Sequence, residues 1–239
     1  MNSGRVGKDG KWAKDRLLEY GVETQHISLV DTVTGHANIC VSDDGENSIV
    51  ISPGANYQVS DKMIGVALAE ASPDDILLMQ NETLNQLYAG AIAKTLGLRV
   101  IYAAAPFDGQ TTLRLINYVD ILVLNQVEAA ELETLIGAGL DTCLVDDIIV
   151  TLGANGCKWV SNQTNTTHTF PAYKVDAIDT TGAGDTFTGY LAAALDRRLT
   201  MPNAITLAMQ ASALMVMRQG TADVIPDLKD IEDYGFDDT

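Results

Sequence analysis

The sequence predicts an α/β fold, a three-layer α/β/α sandwich whose mostly parallel central sheet carries helices on both faces. Three observations predict it. Short, continuous apolar runs recur from Asp75 onward. Stretches with the 3.6-residue period of an amphipathic helix lie between them. Glycine or polar residues close the runs, as successive βαβ units require.

DILLMQ (75–80) reads as a buried strand, and LNQLYAGAIAKTLG (84–97) as a helix closed by Gly97. RVIYAAAP (99–106) is the next strand, followed by a helical stretch through Leu115. DILVLN (120–125) and DIIVTLG (147–153) are strands on either side of the helical VEAAELETLIG (127–137). KVDAID (174–179) is a last extended segment leading into DTTGAGDTF (179–187), and FTGYLAAALDRRL (187–199) is a helix with an Ala/Gly/Leu face. HANICVSDDGENSIVIS (36–52) alternates instead, and reads as an antiparallel hairpin turning at Asp44-Gly45. GRVGK (4–8) lacks the spacing and the Ser/Thr of a phosphate-binding loop, and reads as a turn before a helix.

Composition narrows the function. At 239 residues and 46% apolar, the chain can bury a sizeable core. Its net charge of −17 excludes nucleic acid as a partner, because phosphate-backbone binding runs on clustered Lys and Arg. One local pocket can still take a small phosphorylated ligand. The acids are densest from Asp227 to Asp238, which reads as a solvated tail over 227–239. Cys40, Cys143 and Cys157 form no C-x-x-C pair, so neither zinc nor a disulfide framework is expected. His26, His36 and His168 are scattered, and neither G-x-S-x-G nor G-x-G-x-x-G occurs at a useful place. Trp12 and Trp159 read as packing residues. No signal-peptide core and no apolar run of about 18 residues is present, so a soluble cytoplasmic protein is expected, with no membrane partner.

Ligands of parallel sheets bind beyond the carboxyl ends of the strands. Those ends here carry Gln80-Asn81-Glu82, Asn125 with Glu128 one turn on, Thr151-Leu152-Gly153, and DTTGAGD. Strand ends need turn residues in any case, which explains the glycines better than Glu82, Asn125 and Glu128. Gly182, Ala183 and Gly184 fall at a helix N-terminus, where free N–H groups and the helix dipole make an anion site. A carboxylate there, Asp185, repels an anion. It makes chemical sense as a general base taking the proton of a hydroxyl that attacks phosphorus. An N-capping Asp on a tight turn is the alternative.

DTTGAGDTF closely resembles the C-terminal signature of the ribokinase, or PfkB-type carbohydrate kinase, family. PGAN (53–56), LLMQNE (77–82), the N-x-x-E of Asn125 and Glu128, and TLGANG (151–156) fall in the family's order and spacing. The resemblance implies a ribokinase-like sandwich over residues 1–239 with a partial β lid from 24–52, and a homodimer formed through that lid. It implies an ATP-dependent sugar kinase that converts D-ribose to D-ribose 5-phosphate, with ATP, Mg²⁺ and K⁺ as cofactors. Asp185 is then the base, and Gly182, Ala183 and Gly184 the anion hole. Asn125 and Glu128 organise Mg²⁺ and the phosphates, Glu128 through water. Asn125, Thr151, Leu152, Gly153, Ala154, Asn155, Gly156, Gly184 and Met209 meet the nucleotide. Glu82 and Asp185 meet the sugar. Asp179, Thr181, Met215, Arg218, Gly220 and Val224 surround K⁺. Val224 stands where the family often has a side-chain oxygen ligand, and Met209 where it commonly has His or Asn.

The start, SGRVGKDGKWAKDRLLEYGVET (3–24), resembles a family segment that follows a substantial N-terminal part. In the family that part carries an Asp on the sugar hydroxyls and a G-G-K-G-A-N motif. The chain is thus expected to be N-terminally truncated relative to the family, keeping the nucleotide half and few sugar contacts. Two alternatives stay open: a nucleotide-binding remnant without turnover, or a sister kinase acting on another sugar or a nucleoside.

Overall fold

A leucine- and isoleucine-rich segment gains most where both of its faces are covered, and this governs where the apolar runs settle. The computed structural model describes residues 1–41 and 47–236. They pack as two compact units, Met1–Pro73 with Gln80–Leu98 and Asp74–Met79 with Arg99–Thr239.

The first unit contains β1 (Ser3–Gly7), α1 (Lys11–Glu19), β2 (His26–Val30), β3 (His36–Val41), β4 (Asn47–Ser52), α2 (Asp61–Leu68) and α3 (Gln86–Leu96). β1 and β2 pair in parallel, with Ser3 opposite His26 and Gly7 opposite Val30. GRVGK is therefore strand through Gly7, not a turn; the chain bends only at Lys8. β3 and β4 form the expected antiparallel hairpin, His36 opposite Ser52. Its expected turn at Asp44-Gly45 lies outside the described residues. α3 closes at Gly97, whose φ of +76° suits a residue without Cβ. Trp12, on α1, is 71% exposed and does not pack in a core.

The second unit is built on one six-stranded sheet: β5 (Ile76–Met79), β6 (Arg99–Ala103), β7 (Ile121–Asn125), β8 (Asp147–Thr151), β9 (Cys157–Ser161) and β10 (Thr166–Phe170), in the order β10-β9-β8-β7-β6-β5. β5 to β8 run parallel, as the pattern predicts. β9 and β10 add an antiparallel hairpin that the apolar pattern does not show. KVDAID joins no strand. The Ile178 and Asp179 amides donate instead to Val216 O, at 2.7 and 3.1 Å. The helices are α4 (Gly109–Leu115), α5 (Gln126–Ile136), α6 (Ala183–Asp196), α7 (Met201–Val216) and α8 (Leu228–Tyr234).

Successive strand residues face opposite sides. Ile101, Ile121, Val123 and Ile149 pack with Phe187, Leu191 and Ala208 of α6 and α7. The alternate residues Val100, Leu122, Leu124 and Ile148 are equally buried, on the side where α5 lies over β7 and β8. Helices thus cover both faces, giving the three layers. Trp159 packs against this core, stacks on His168 and donates to Asp147 Oδ1.

The acidic tail is not simply solvated. Its first part is α8, started by a reciprocal capping box between Asp227 and Asp230 and anchored by buried Ile231. Among the described residues no helix is long and apolar enough to cross a membrane.

Leu191 is fully buried between α6 and the sheet. Leu191→Ala is expected to destabilise the second unit by about 2–5 kcal/mol. Urea denaturation followed by Trp159 fluorescence in a Trp12→Phe background measures it.

Candidate active site

The parallel register sets Asn125 level with Thr151, so the ends of β7 and β8 lie side by side. Asn125 then starts α5. Its Oδ1 accepts from the Val127 and Glu128 amides at 2.8 and 2.9 Å, and the Glu128 carboxylate accepts from the Asn125 amide at 2.7 Å. This is a capping box, in which Ncap and N3 satisfy each other's backbone donors. Both residues therefore have a structural task, whatever ligand they meet. Asn125 stays exposed, and Glu128 is half-buried. Burial pushes the Glu128 carboxyl above the ordinary glutamate range; the Asn125 amide opposes this, and the charge of Glu131 adds to it.

Residues 151–156 form a tight turn. Gly153–Asn155 is one turn of 3₁₀ helix, and the Leu152 amide donates to Gly156 O at 2.8 Å. Gly153, Ala154 and Asn155 are exposed beside the capping box strand. Glu82 is exposed in a turn of the other unit.

The DTTGAGD loop is built around Gly182. Its φ of +83° reverses the chain into α6, and a Cβ there would come within 2.9 Å of the Met215 methyl. Gly182 is the N-cap and Asp185 is the third residue of the helix, so the reading of Asp185 as an N-cap is overturned. The Ala183 amide donates to Thr180 O at 3.2 Å. Gly184 and Asp185 are the second and third residues of α6, in the turn at the positive end of its dipole. Gly184 and Asp185 are exposed, while Thr186, Phe187 and Thr188 behind them are buried. The loop is fixed from behind: Thr186 Oγ1 meets the Met215 sulfur at 2.6 Å, and Ser212 Oγ donates to Ala183 O at 3.1 Å. Ser212 was not legible as a site residue; its only signal is a hydroxyl on an alanine-rich helix face.

The expected cation-site residues also come together. Asp179 Oδ1 accepts from the Thr181 amide at 2.9 Å and Oδ2 from the Gly220 amide at 3.3 Å. These amides, Thr181 first, hold the Asp179 carboxyl below the usual carboxylate range. The Val224 side chain lies against Gly220. Arg218 donates to Val224 O at 3.3 Å, and its own amide to Met215 O at 3.0 Å. One carboxylate and a set of backbone carbonyls is chemistry that suits a large, hard monovalent cation. Val224 adds only its carbonyl to that set, and the carbonyl already meets a guanidinium. Met209 is 9% exposed inside the core cluster of α6 and α7, so the structure gives it a packing role.

Residues 2–228 match the profile of the pfkB family carbohydrate kinases. The chain is 32% identical over 236 residues to a ribokinase of Lactococcus lactis, covering 96% of this chain and 77% of that one. It is 30% identical over 234 residues to a deoxyribokinase of Salmonella typhi, covering 91% and 75%. Among solved structures, the ribokinase of Arabidopsis thaliana complexed with ribose and ATP superposes with a TM-score of 0.81 at 26% identity, covering 97% of this chain and 80% of that one.

An acid whose pKa is higher in the folded than in the unfolded state binds more protons when folded. Its contribution to stability is greatest below the unfolded pKa and falls as pH rises toward the folded one. Glu128→Gln keeps an acceptor for the Asn125 amide and removes the titration. The stability of the unsubstituted chain relative to Glu128→Gln should therefore fall as pH rises from the ordinary glutamate range upward. Urea midpoints between about pH 4 and 7 give the comparison.

Proposed function

The chain belongs to the pfkB family of carbohydrate kinases, and on that premise we propose that it transfers the γ-phosphoryl group of ATP to a hydroxyl of D-ribose, giving D-ribose 5-phosphate. The observation that carries this reading is the loop 179–187, which sets an exposed carboxylate in the first turn of α6, at the positive end of its dipole.

Asp185 takes the proton of the attacking hydroxyl. A bond forms between that oxygen and the γ-phosphorus, the bond from the γ-phosphorus to the β,γ-bridging oxygen breaks, and ADP leaves. The positive end of α6, with Gly182, Ala183 and Gly184 at its start, faces the charge carried by the transferred group. Phosphoryl transfer asks the protein for position and electrostatics more than for covalent chemistry, so a rigid glycine turn and one base suffice.

Asn125 and the 151–156 turn bind the nucleotide from the neighbouring strand ends. Glu128 would hold Mg²⁺ through water, in keeping with a metal that uses one or two carboxylates plus substrate phosphates. Mg²⁺, when bound, neutralises phosphate charge. Asp179 with the carbonyls of Thr181, Met215, Arg218 and Gly220 would hold K⁺, while the Val224 carbonyl is engaged by the Arg218 guanidinium. Glu82 binds the sugar. A homodimer through β3 and β4 is supported by the exposed Val50 and Ile51 on β4. The second reading is a sister kinase for 2-deoxyribose, favoured by the similarity to the Salmonella typhi deoxyribokinase.

The test is ADP release by the purified chain with ATP, Mg²⁺ and K⁺, with D-ribose, with 2-deoxy-D-ribose, and without sugar. Release is expected to depend on D-ribose and to exceed that with the deoxy sugar. Asp185→Asn should lower kcat by about 10²–10⁴-fold while ATP binding, measured by calorimetry, is retained. Turnover undiminished by Asp185→Asn would remove the base from the mechanism, and a preference for the deoxy sugar would select the second reading.

A further inference from the structure

We propose that Asp230, on the C-terminal helix α8, is a positioning residue: through Arg218 it fixes the segment 215–224, and that segment holds the 179–184 loop. The functional part of this inference rests on the reading of the loop as the phosphoryl site.

The loop is suspended from that segment at several points. Ile178 and Asp179 donate to Val216 O, Gly220 donates to Asp179, and the Met215 side chain lies against Gly182 and Thr186. The segment is in turn closed from outside. Both terminal nitrogens of Arg218 donate to Asp230 Oδ2 at 3.1 Å, and one also donates to Val224 O. A planar guanidinium that meets a carboxylate and a carbonyl together fixes their relative positions, which a flexible ammonium does not. α8 is also tied to α6: Tyr190 donates its hydroxyl to Pro226 O just before α8, and packs against the cluster that holds Ile231. α8 therefore braces the return segment after α7 and grips the body of α6, whose first turn carries Asp185.

Magnitudes separate the consequences. The side chains of Arg218 and Asp230 are 39% and 42% exposed, so the pair adds little to global stability. Phosphoryl transfer, by contrast, loses rate steeply when groups shift by about 1 Å. Removing the brace should appear in local opening and in turnover, not in the melting temperature.

The experiment uses the full chain with Asp230→Asn, Asp230→Glu and Arg218→Gln. Asn at 230 keeps an acceptor for the Asp227 amide, which Asp230 satisfies in the α8 cap. In hydrogen exchange, Asp230→Asn and Arg218→Gln are expected to speed the amides of 178–185 and 215–224 by about five- to tenfold, with those of β7 and β8 unchanged. In ADP release, kcat should fall by a similar factor while KM for the sugar holds within about twofold, and Asp230→Glu should recover most of it. Unchanged loop exchange in both charge-removing variants would overturn the proposal. So would faster exchange spread evenly through α6, α7 and the sheet, which marks a structural role alone. If the unsubstituted chain releases no ADP, the phosphoryl-transfer reading fails separately, and the exchange data still decide whether Asp230 fixes the loop.

Discussion

The double acceptance by Asp179 is the interaction on which the rest of the site depends. One carboxylate oxygen takes the Thr181 amide and the other takes the Gly220 amide. The stretch before α6 joins no strand: its Ile178 and Asp179 amides reach Val216 O, and the carboxylate takes the Thr181 amide that follows. With this clamp, the left-handed turn at Gly182 is held and α6 begins at a defined residue. The position of Asp185 in the first turn of α6 depends on that turn.

The parallel sheet supplies the second constraint. Its ladder sets the ends of β7 and β8 level, and the first turn of α5 rises from one of them. The capping box at Asn125 and Glu128 shows how one residue pair serves two needs. The carboxylate that completes this helix start belongs to the same sheet rim as the exposed glycine turn of 153–155. A helix start at the end of a parallel strand needs such polar residues in any case, so the fold places ligand-type side chains at this rim at little extra cost.

Much of this was legible because the signals are local. Gly97, the apolar runs of β5 to β8, and Gly182 ahead of an alanine-rich helix each speak through backbone preference or burial. The N-x-x-E at 125–128 carried two messages, since its spacing is also that of a capping box. The same spacing in Asp227 and Asp230 was hidden by the charge around it, so a structured helix read as a tail. β10, Thr166 to Phe170, was invisible because four of its five residues are exposed and it gains its place by pairing with β9. KVDAID has strand-like composition, yet its amides find Val216 instead of a neighbouring strand. Met209, a position chosen by resemblance, also packs in the core cluster of α6 and α7, which its place in the sequence did not show.

The division of the chain has a consequence for how it is made. The path leaves one unit after Pro73, returns after Met79 and leaves again after Leu98. The excursion Asp74–Met79 thus carries β5, whose partner β6 lies beyond α3 in the chain. On the ribosome its pairing with β6 waits until the chain beyond α3 has emerged. A fragment cut at Leu98 would carry off the strand that its sister fragment needs. Neither unit is a contiguous stretch of gene, so the two cannot be traded between proteins by simple end-to-end exchange.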